Sequence, residues 1–135
     1  MQKKVKAVVV DLDWTLCASH ESRPKRYNNE VVNKDLRTKL NELRLKTKAR
    51  IIILTGRKAI DHHTDTVIWL NENYILYDRL YMQEWWIAKQ NHIYKEEMLS
   101  KLKEEYDILM MYDDFPEVGK VCENLNIPFT LIKNE

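Results

Sequence analysis

The sequence has few residues of the kinds that interrupt regular structure, with two Gly and three Pro among 135 residues. This scarcity argues against a linker-rich or disordered chain. Cys17 and Cys122 are too few for a disulfide framework and form no metal-binding CxxC pair, which favours a reducing, cytoplasmic compartment. The apolar run near the amino terminus is too short for a signal peptide or a membrane span. We therefore expect an ordered cytoplasmic protein without a membrane partner.

The chain also lacks an excess of charge of either sign, since 22 basic and 21 acidic residues give a formal net charge of +1. No global field would hold a nucleic acid or an anionic membrane, so a polyanion would have to be bound locally. There is no GxxxxGK[ST] loop, and kinase activity of that type is not expected. The length fits one core, which predicts a single domain over residues 1–135.

Short apolar runs alternate along the chain with segments of helical periodicity. The runs rich in Val, Ile, Leu or Tyr predict buried strands at 5–10, 50–54, 75–82, 108–112 and 129–132. The intervening segments predict helices at 33–48, 59–73, 92–106 and 116–125. This alternation predicts a Rossmann-like α/β fold of three layers (α/β/α), in which helices cover both faces of a parallel five-stranded sheet.

Residues 17–33 connect the first strand to the first helix and are predicted to be a loop. The segment is polar and holds Arg23, Lys25 and Arg26 within four positions. A connection of this length in a compact domain is often functional. A solvated connection without a role is the alternative interpretation.

Polar residues stand where three of the predicted strands end. Ligands of open α/β sheets bind beyond the carboxyl ends of the strands, so these residues should meet in one crevice. Several carboxylates placed together would repel one another unless a cation neutralised them, and a hard, oxygen-ligated ion such as Mg²⁺ suits such a site. Each stretch alone could be an ordinary turn or helix cap, but their joint occurrence favours a site. The residues concerned are Asp11, Asp13, Thr55, Gly56, Arg57, Asp113 and Asp114.

The first pair of carboxylates suggests a division of labour. Residues two apart in an extended chain project to the same side, so Asp11 and Asp13 can face the crevice while Leu12 faces the core. An ionised carboxylate can displace the alcohol from a phosphate monoester and form an acyl phosphate, which fits Asp11. A second carboxylate can protonate the leaving oxygen and then activate water, which fits Asp13.

Four motifs, DLDWT, ILTGR, YKEEML and MMYDD, resemble in order those of the haloacid dehalogenase (HAD) superfamily of phosphotransferases. The resemblance spans almost the whole chain. In TVIWLNENYILYDRLYMQ and the following IYKEEML, the chain more closely resembles the 3'-phosphatase domain of phage polynucleotide kinase and small phage phosphatases of that branch. The resemblance implies a HAD fold and a Mg²⁺-dependent phosphatase with an aspartyl-phosphate intermediate. For a phage protein, the compartment would be the host cytoplasm.

The resemblance also implies roles for the residues of the first two motifs. Asp11 would be the nucleophile and a Mg²⁺ ligand. Asp13 would be the general acid and base and would bind Mg²⁺ through its backbone carbonyl. Thr15 would stabilise the turn, while Thr55 and the backbone amide of Gly56 would hold the phosphoryl oxygens.

The remaining motifs imply further contacts with the phosphate and the metal. Arg57 would contact the substrate phosphate, and Lys95 would neutralise the nucleophile and the phosphate. Asp114 would hold the metal, with Asp113 close behind it. Arg23 matches only approximately an Arg that related enzymes supply from the loop after the first strand.

The sequence departs from the pattern of the family at two positions. Trp14 stands where the family usually has Gly, which makes the turn bulkier and places an indole near the site. Asn91 stands where the related phosphatases have an Asp, four residues before Lys95. The chain has no room for a large cap domain, and an open site suits the end of a nucleic acid, although a free nucleotide could also enter.

Two alternatives to a nucleic-acid 3'-phosphatase stay open at this level. One is a nucleotidase acting on free mononucleotides, and the other is a catalytically weakened module that binds a nucleic acid or a separate kinase or ligase partner. Trp85 and Trp86 could stack on bases, or could belong to the core or to a partner interface. The four histidines lack the spacing of metal ligands.

Overall fold

The structure is a computed structural model that describes residues 3–18, 31–84 and 89–133. Its elements follow one another as strand, two short strands, and then alternating helices and strands. The strands are β1 Val5–Val10, β2 Cys17–Ala18, β3 Val31–Val32, β4 Arg50–Lys58, β5 Arg79–Gln83, β6 Tyr106–Asp113 and β7 Phe129–Leu131. The helices are α1 Lys34–Thr47, α2 Ala59–Glu72, α3 Asn91–Glu105 and α4 Pro116–Asn124.

The predicted five-stranded parallel sheet is confirmed, with the strand order β5-β4-β1-β6-β7. Strand β1 lies in the centre, which explains why its last four residues are apolar and fully buried. The strands β4 and β6 flank it, so the carboxyl ends of β1, β4 and β6 lie side by side. These are the three strand ends that carry the polar residues.

The predicted helix layers are confirmed on both faces of the sheet. Val8 and Val10 pack into a core with Leu36 of α1 and Trp69 of α2. Val9, the alternate residue, packs on the opposite face into a second core, to which α3 and α4 contribute. Two helices therefore cover each face, as right-handed crossovers require. In the described part of the chain, no helix has the length and apolar character needed to cross a bilayer.

Several boundaries differ from the prediction. Strand β4 runs to Lys58, so the Thr-Gly-Arg stretch lies on the strand instead of after it. Its register with β5 shifts between Leu54 and Lys58, an irregularity of the kind that re-aims side chains near active sites. Strand β5 begins only at Arg79. Ile75, which was predicted to start it, instead donates its backbone N–H to the carbonyl of Leu70 at the end of α2.

The predicted loop at residues 17–33 is wrong at its two ends. Strands β2 and β3 pair there antiparallel, with Cys17 opposite Val32 and Ala18 opposite Val31. Arg23 lies outside the described residues, as do Trp85 and Trp86. The proposed roles of these three residues therefore stay predictions.

Candidate active site

A pocket of about 490 Å³ opens at the carboxyl edge of the sheet. It collects side chains from the ends of β1, β4, β5 and β6, which is where ligands of open α/β sheets bind. Most of the residues predicted from the sequence to form a site line it. The lining comprises Asp11, Asp13, Trp14, Thr55, Gly56, Arg57, Lys58, Gln83, Lys89, Asn91, Asp114 and Phe115.

Lys95 forms the buried electrostatic centre beneath this pocket. It is fully buried on α3, and its Nζ donates to Asp11 Oδ1 at 2.8 Å and to Asp113 Oδ2 at 2.6 Å. Burial by itself would lower the pKa of Lys95, but the two carboxylates outweigh it and raise the pKa above its ordinary value. The ammonium group therefore stays charged and joins the ends of β1 and β6.

Burial has the opposite effect on the carboxyl groups. It raises the pKa of Asp11 to about 6, although the charge of Lys95 opposes the rise. Burial also raises the pKa of Asp113, again against Lys95. For Asp114, burial and then the charge of Asp11 raise the pKa. Burial thus disfavours the ionised form of all three carboxyl groups, and an additional positive charge beside them would stabilise that form.

The donor set fits a hard divalent cation. One carboxylate oxygen from each of Asp11, Asp113 and Asp114 lies within 4.8 Å of the other two. Lys95 forms ion pairs with Asp11 and Asp113, and Arg57 forms one with Asp13. Carboxylate oxygens are the protein ligands that Mg²⁺ prefers. The residues that could hold such an ion are the three carboxylates of the cluster.

The turn after β1 is held by Thr15, which is fully buried. Its backbone N–H donates to the carbonyl of Leu12 at 3.1 Å, and its hydroxyl donates to Asp11 Oδ2 at 3.0 Å. Asn33, the N-cap of α1, donates from Nδ2 to the carbonyl of Thr15 at 3.1 Å. The start of α1 thereby fixes the turn that presents Asp11.

Arg57 makes a bidentate ion pair with Asp13. Its Nη2 lies 2.6 Å from Asp13 Oδ1, and its Nε donates to Oδ2 at 3.0 Å. The guanidinium is itself anchored, because Nη1 donates to Thr66 Oγ1 at 2.9 Å and Nη2 reaches Cys17 Sγ at 3.7 Å. Such a fork-to-fork pair orients the carboxylate. The carboxylate predicted to be the general acid and base is therefore held in place from β4 and α2.

Thr55 and Gly56 line the floor of the pocket next to this pair. The Thr55 hydroxyl accepts a hydrogen bond from the backbone N–H of Arg57 at 3.2 Å. A Cβ atom on Gly56 would lie 2.5 Å from Asn91 Oδ1, so the side chain of Asn91 occupies the space above the glycine. Asn91 therefore contributes to the shape of the pocket at the position where the resemblance implies an Asp.

The structure brings together almost all of the residues singled out in the sequence. Asp13 differs in one respect, because its carboxylate pairs with Arg57 and is not part of the acidic cluster. Arg57 is bound to Asp13, a contact that the sequence did not predict. Thr66 and Asn33 were missed, since a helical Thr and a helix-capping Asn carry no sequence signal of a link to a site.

Taken together, the parallel sheet, the acidic strand ends and the buried lysine define a phosphatase of the HAD class. The sequence profile of one family, described as the polynucleotide kinase PNKP phosphatase domain, matches residues 5–134. The chain belongs to this family. No curated protein matches the chain.

Two solved structures of the Pnkp1/Rnl/Hen1 complex contain chains with the same fold. A chain in a structure of the Pnkp1/Rnl/Hen1 RNA repair complex superposes with a TM-score of 0.86 at 24% identity, over 96% of this chain and 43% of that chain. A chain in a second structure of the Pnkp1/Rnl/Hen1 complex gives 0.86 at 24% identity, over 95% and 46%. At this identity the similarity supports the fold alone. This chain spans less than half the length of these two solved chains.

Proposed function

We propose that the chain is a Mg²⁺-dependent phosphomonoesterase that removes a 3'-phosphate from a nucleic-acid end through an aspartyl-phosphate on Asp11. The observation that carries the proposal is the position of Asp11. Its carboxylate faces the pocket at the end of the central strand, contacts Lys95 at 2.8 Å and shares the acidic cluster with Asp113 and Asp114. Membership in a family of polynucleotide kinase phosphatase domains supports the substrate class.

In the first step, a carboxylate oxygen of Asp11 attacks phosphorus, and the bond from phosphorus to the sugar oxygen breaks. Asp13 donates a proton to the leaving oxygen. In the second step, Asp13 takes a proton from water, and the water oxygen attacks phosphorus. The acyl phosphate bond breaks, Asp11 is regenerated and inorganic phosphate leaves.

The other residues of the site would stabilise charge and orient the reacting groups. Lys95 would offset charge on Asp11 and on the phosphoryl group. Arg57 would orient Asp13. The resemblance implies that Arg57 also contacts the substrate phosphate, and it could do so only by giving up part of its ion pair with Asp13. Mg²⁺ held by Asp11, Asp113 and Asp114 would supply further positive charge against the phosphoryl oxygens. A contact from the backbone carbonyl of Asp13 to the ion is part of the same proposal.

The open pocket supports a large substrate. In the described residues no cap domain covers the carboxyl edge of the sheet. Lys58 lies at the pocket as a cation that could contact a backbone phosphate, and Lys89 could do so by leaving its ion pair with Glu97.

We also propose that residues 1–135 form one domain and that the chain acts in the cytoplasm. A separate kinase or ligase as its partner is suggested by the repair complexes in which chains of this fold occur.

A phosphate-release assay tests the proposal. The substrates are RNA and DNA oligonucleotides with a 3'-phosphate, the same oligonucleotides with a 5'-phosphate, and nucleoside 3'-monophosphates, each with Mg²⁺ or with EDTA. We expect release from the 3'-phosphorylated ends, with Mg²⁺ only. The Asp11→Asn variant should release none, while Asp35→Asn, which changes an exposed carboxylate on α1, should match the wild type.

Each other outcome has a definite meaning. Release from mononucleotides alone would identify a nucleotidase and overturn the polymer substrate. Binding of oligonucleotides without any release would indicate the non-catalytic module. Full activity in Asp11→Asn would remove the aspartyl-phosphate from the mechanism.

A further inference from the structure

Trp14 has a backbone conformation that its side chain disfavours. It occupies the third position of the turn closed by the hydrogen bond from the N–H of Thr15 to the carbonyl of Leu12, and its φ is 61°. Gly and Asn are the residues that ordinarily supply a positive φ at this position of a turn. A bulky residue there is an outlier, and such strain persists only where the surroundings impose it.

The other non-glycine residues with a positive φ in the described part of the chain have an ordinary explanation. Lys48, Tyr74 and Asn126 each follow the end of a helix, where a left-handed residue commonly completes the last turn. Trp14 lies in the turn after strand β1 and directly precedes Thr15. Helix termination therefore does not account for a tryptophan at this position.

The indole is placed where a substrate could meet it. Trp14 is 38% exposed and lines the pocket that contains Asp11, Asp13 and Asp114. Phe115, also 38% exposed, lines the same pocket. Exposed aromatic rings beside a phosphate-binding site are the usual platforms for bases of single-stranded nucleic acids, because every base presents a face that can stack.

We infer that Trp14 is a substrate-binding residue that stacks on the base of the nucleotide carrying the scissile phosphate. The inference rests on the proposed function, and it specifies the part of the substrate that is recognised. The pocket volume of about 490 Å³ lies within the range of sites that hold a whole small-molecule ligand, so there is space beside the phosphoryl group. Stacking tolerates any base, so this contact favours a nucleotide end without selecting its sequence.

The test compares two substrates that differ only in the terminal base. One is an oligonucleotide with a 3'-phosphate on a normal terminal nucleotide, and the other carries a stable abasic tetrahydrofuran analogue at that position. For the wild type we expect kcat/KM to favour the substrate with the base by about tenfold to hundredfold. In Trp14→Gly the ratio of kcat/KM for the two substrates should fall towards one. Trp14→Phe should retain most of the preference for the substrate with the base.

A second readout separates stacking from damage to the turn. Because Gly adopts a positive φ without strain, the relaxed turn in Trp14→Gly offsets the packing lost with an indole that is 38% exposed, and its urea midpoint should stay close to that of the wild type. Tyr74→Gly is the matched control for the backbone, since Tyr74 has φ 56° and is 78% exposed, but does not line the pocket. It loses less packing, so it should gain stability while it leaves the substrate ratio unchanged.

Two results would overturn the inference: a wild-type ratio near one, or an unchanged ratio in Trp14→Gly. Fluorescence anisotropy measures binding of the same two oligonucleotides without turnover. If the wild type hydrolyses neither but binds the substrate with the base more tightly, and Trp14→Gly does not, the proposed function fails while the stacking contact stands.

Discussion

Replacing Asp11 by Asn should stabilise the metal-free protein while it abolishes the proposed catalysis. Asp11 is 4% exposed, and burial raises its pKa from the ordinary 3.8 to about 6 even with Lys95 beside it. Ionising Asp11 therefore costs more free energy in the folded protein than in the unfolded chain. At about 1.4 kcal/mol per unit of pKa shift, this cost lowers the stability of the wild type by roughly 3 kcal/mol above pH 6.

The neutral side chain of Asn resembles protonated Asp11 in shape and can keep its main contacts. Its amide oxygen can accept from Lys95 Nζ, and its amide nitrogen can donate to the Thr15 hydroxyl, which now donates to Asp11 at 3.0 Å. In EDTA, the variant should thus be more stable than the wild type by up to roughly 3 kcal/mol at pH 7.5.

The gain should depend on pH in a defined direction. Between about pH 4 and 6, native Asp11 still holds its proton while the unfolded chain has released it, so wild-type stability falls as the pH rises through this window. The variant lacks this loss. The difference in the free energy of unfolding should therefore be near zero at pH 4 and reach its full size above pH 6.

Urea unfolding followed by tryptophan fluorescence, in EDTA at several pH values, measures this difference. Glu96→Gln, which neutralises an exposed carboxylate on α3, serves as the control and should change stability by less than about 0.5 kcal/mol. Mg²⁺ should reduce the difference in stability between Asp11→Asn and the wild type, because an ion bound by Asp11 stabilises only the native wild type. A variant less stable than the wild type at pH 7.5, or a pH-independent gap, would refute the reasoning.

Three further predictions concern the supports of the site and the second core. Thr66→Val removes an acceptor from a buried guanidinium and should lower the free energy of unfolding by about 1.5–3 kcal/mol in urea titrations, whereas the exposed Thr64→Val should have little effect. Gly119→Ala places a Cβ atom 2.8 Å from the Phe129 ring and should lower the melting temperature, although Ala has the better helix propensity. A higher melting temperature would show that the Phe129 ring can move aside at little cost. Burial raises the pKa of Cys122 to about 12, so its thiol should resist iodoacetamide at pH 8 until urea unfolds the protein; rapid alkylation of the native protein would contradict this.

The order of strands and helices could be read from the sequence because it depends on local patterns. Runs of apolar residues such as 5–10 are long enough for a buried strand, and polar segments with helical spacing separate them. The rule that ligands bind at the carboxyl ends of parallel strands then located Asp11, Thr55 and Asp114 at one edge. Boundaries were less predictable, since register shifts such as that in β4 depend on the neighbouring strand.

The pairing of charges at the site was decided by the tertiary structure. Nothing local distinguishes Thr66 from Thr64, yet the packing of α2 against the sheet directs Thr66 alone to Arg57. Arg57 in turn binds Asp13, 44 positions away, so the contact depends on how β4 lies beside β1. Lys95 meets Asp11 and Asp113 for the same reason, because α3 crosses the sheet beneath both strand ends.

Residue types and their spacing thus determine which chemical groups the chain can bring to a site. The protonation and orientation of those groups depend on burial and on partners distant in sequence. Trp14 illustrates both contributions. Its presence in DLDWT could be noticed in the sequence, but only the backbone conformation revealed that the residue is strained. The physical reason is that a φ angle is set by the closure of the turn between Leu12 and Thr15, and the identity of the residue does not fix it.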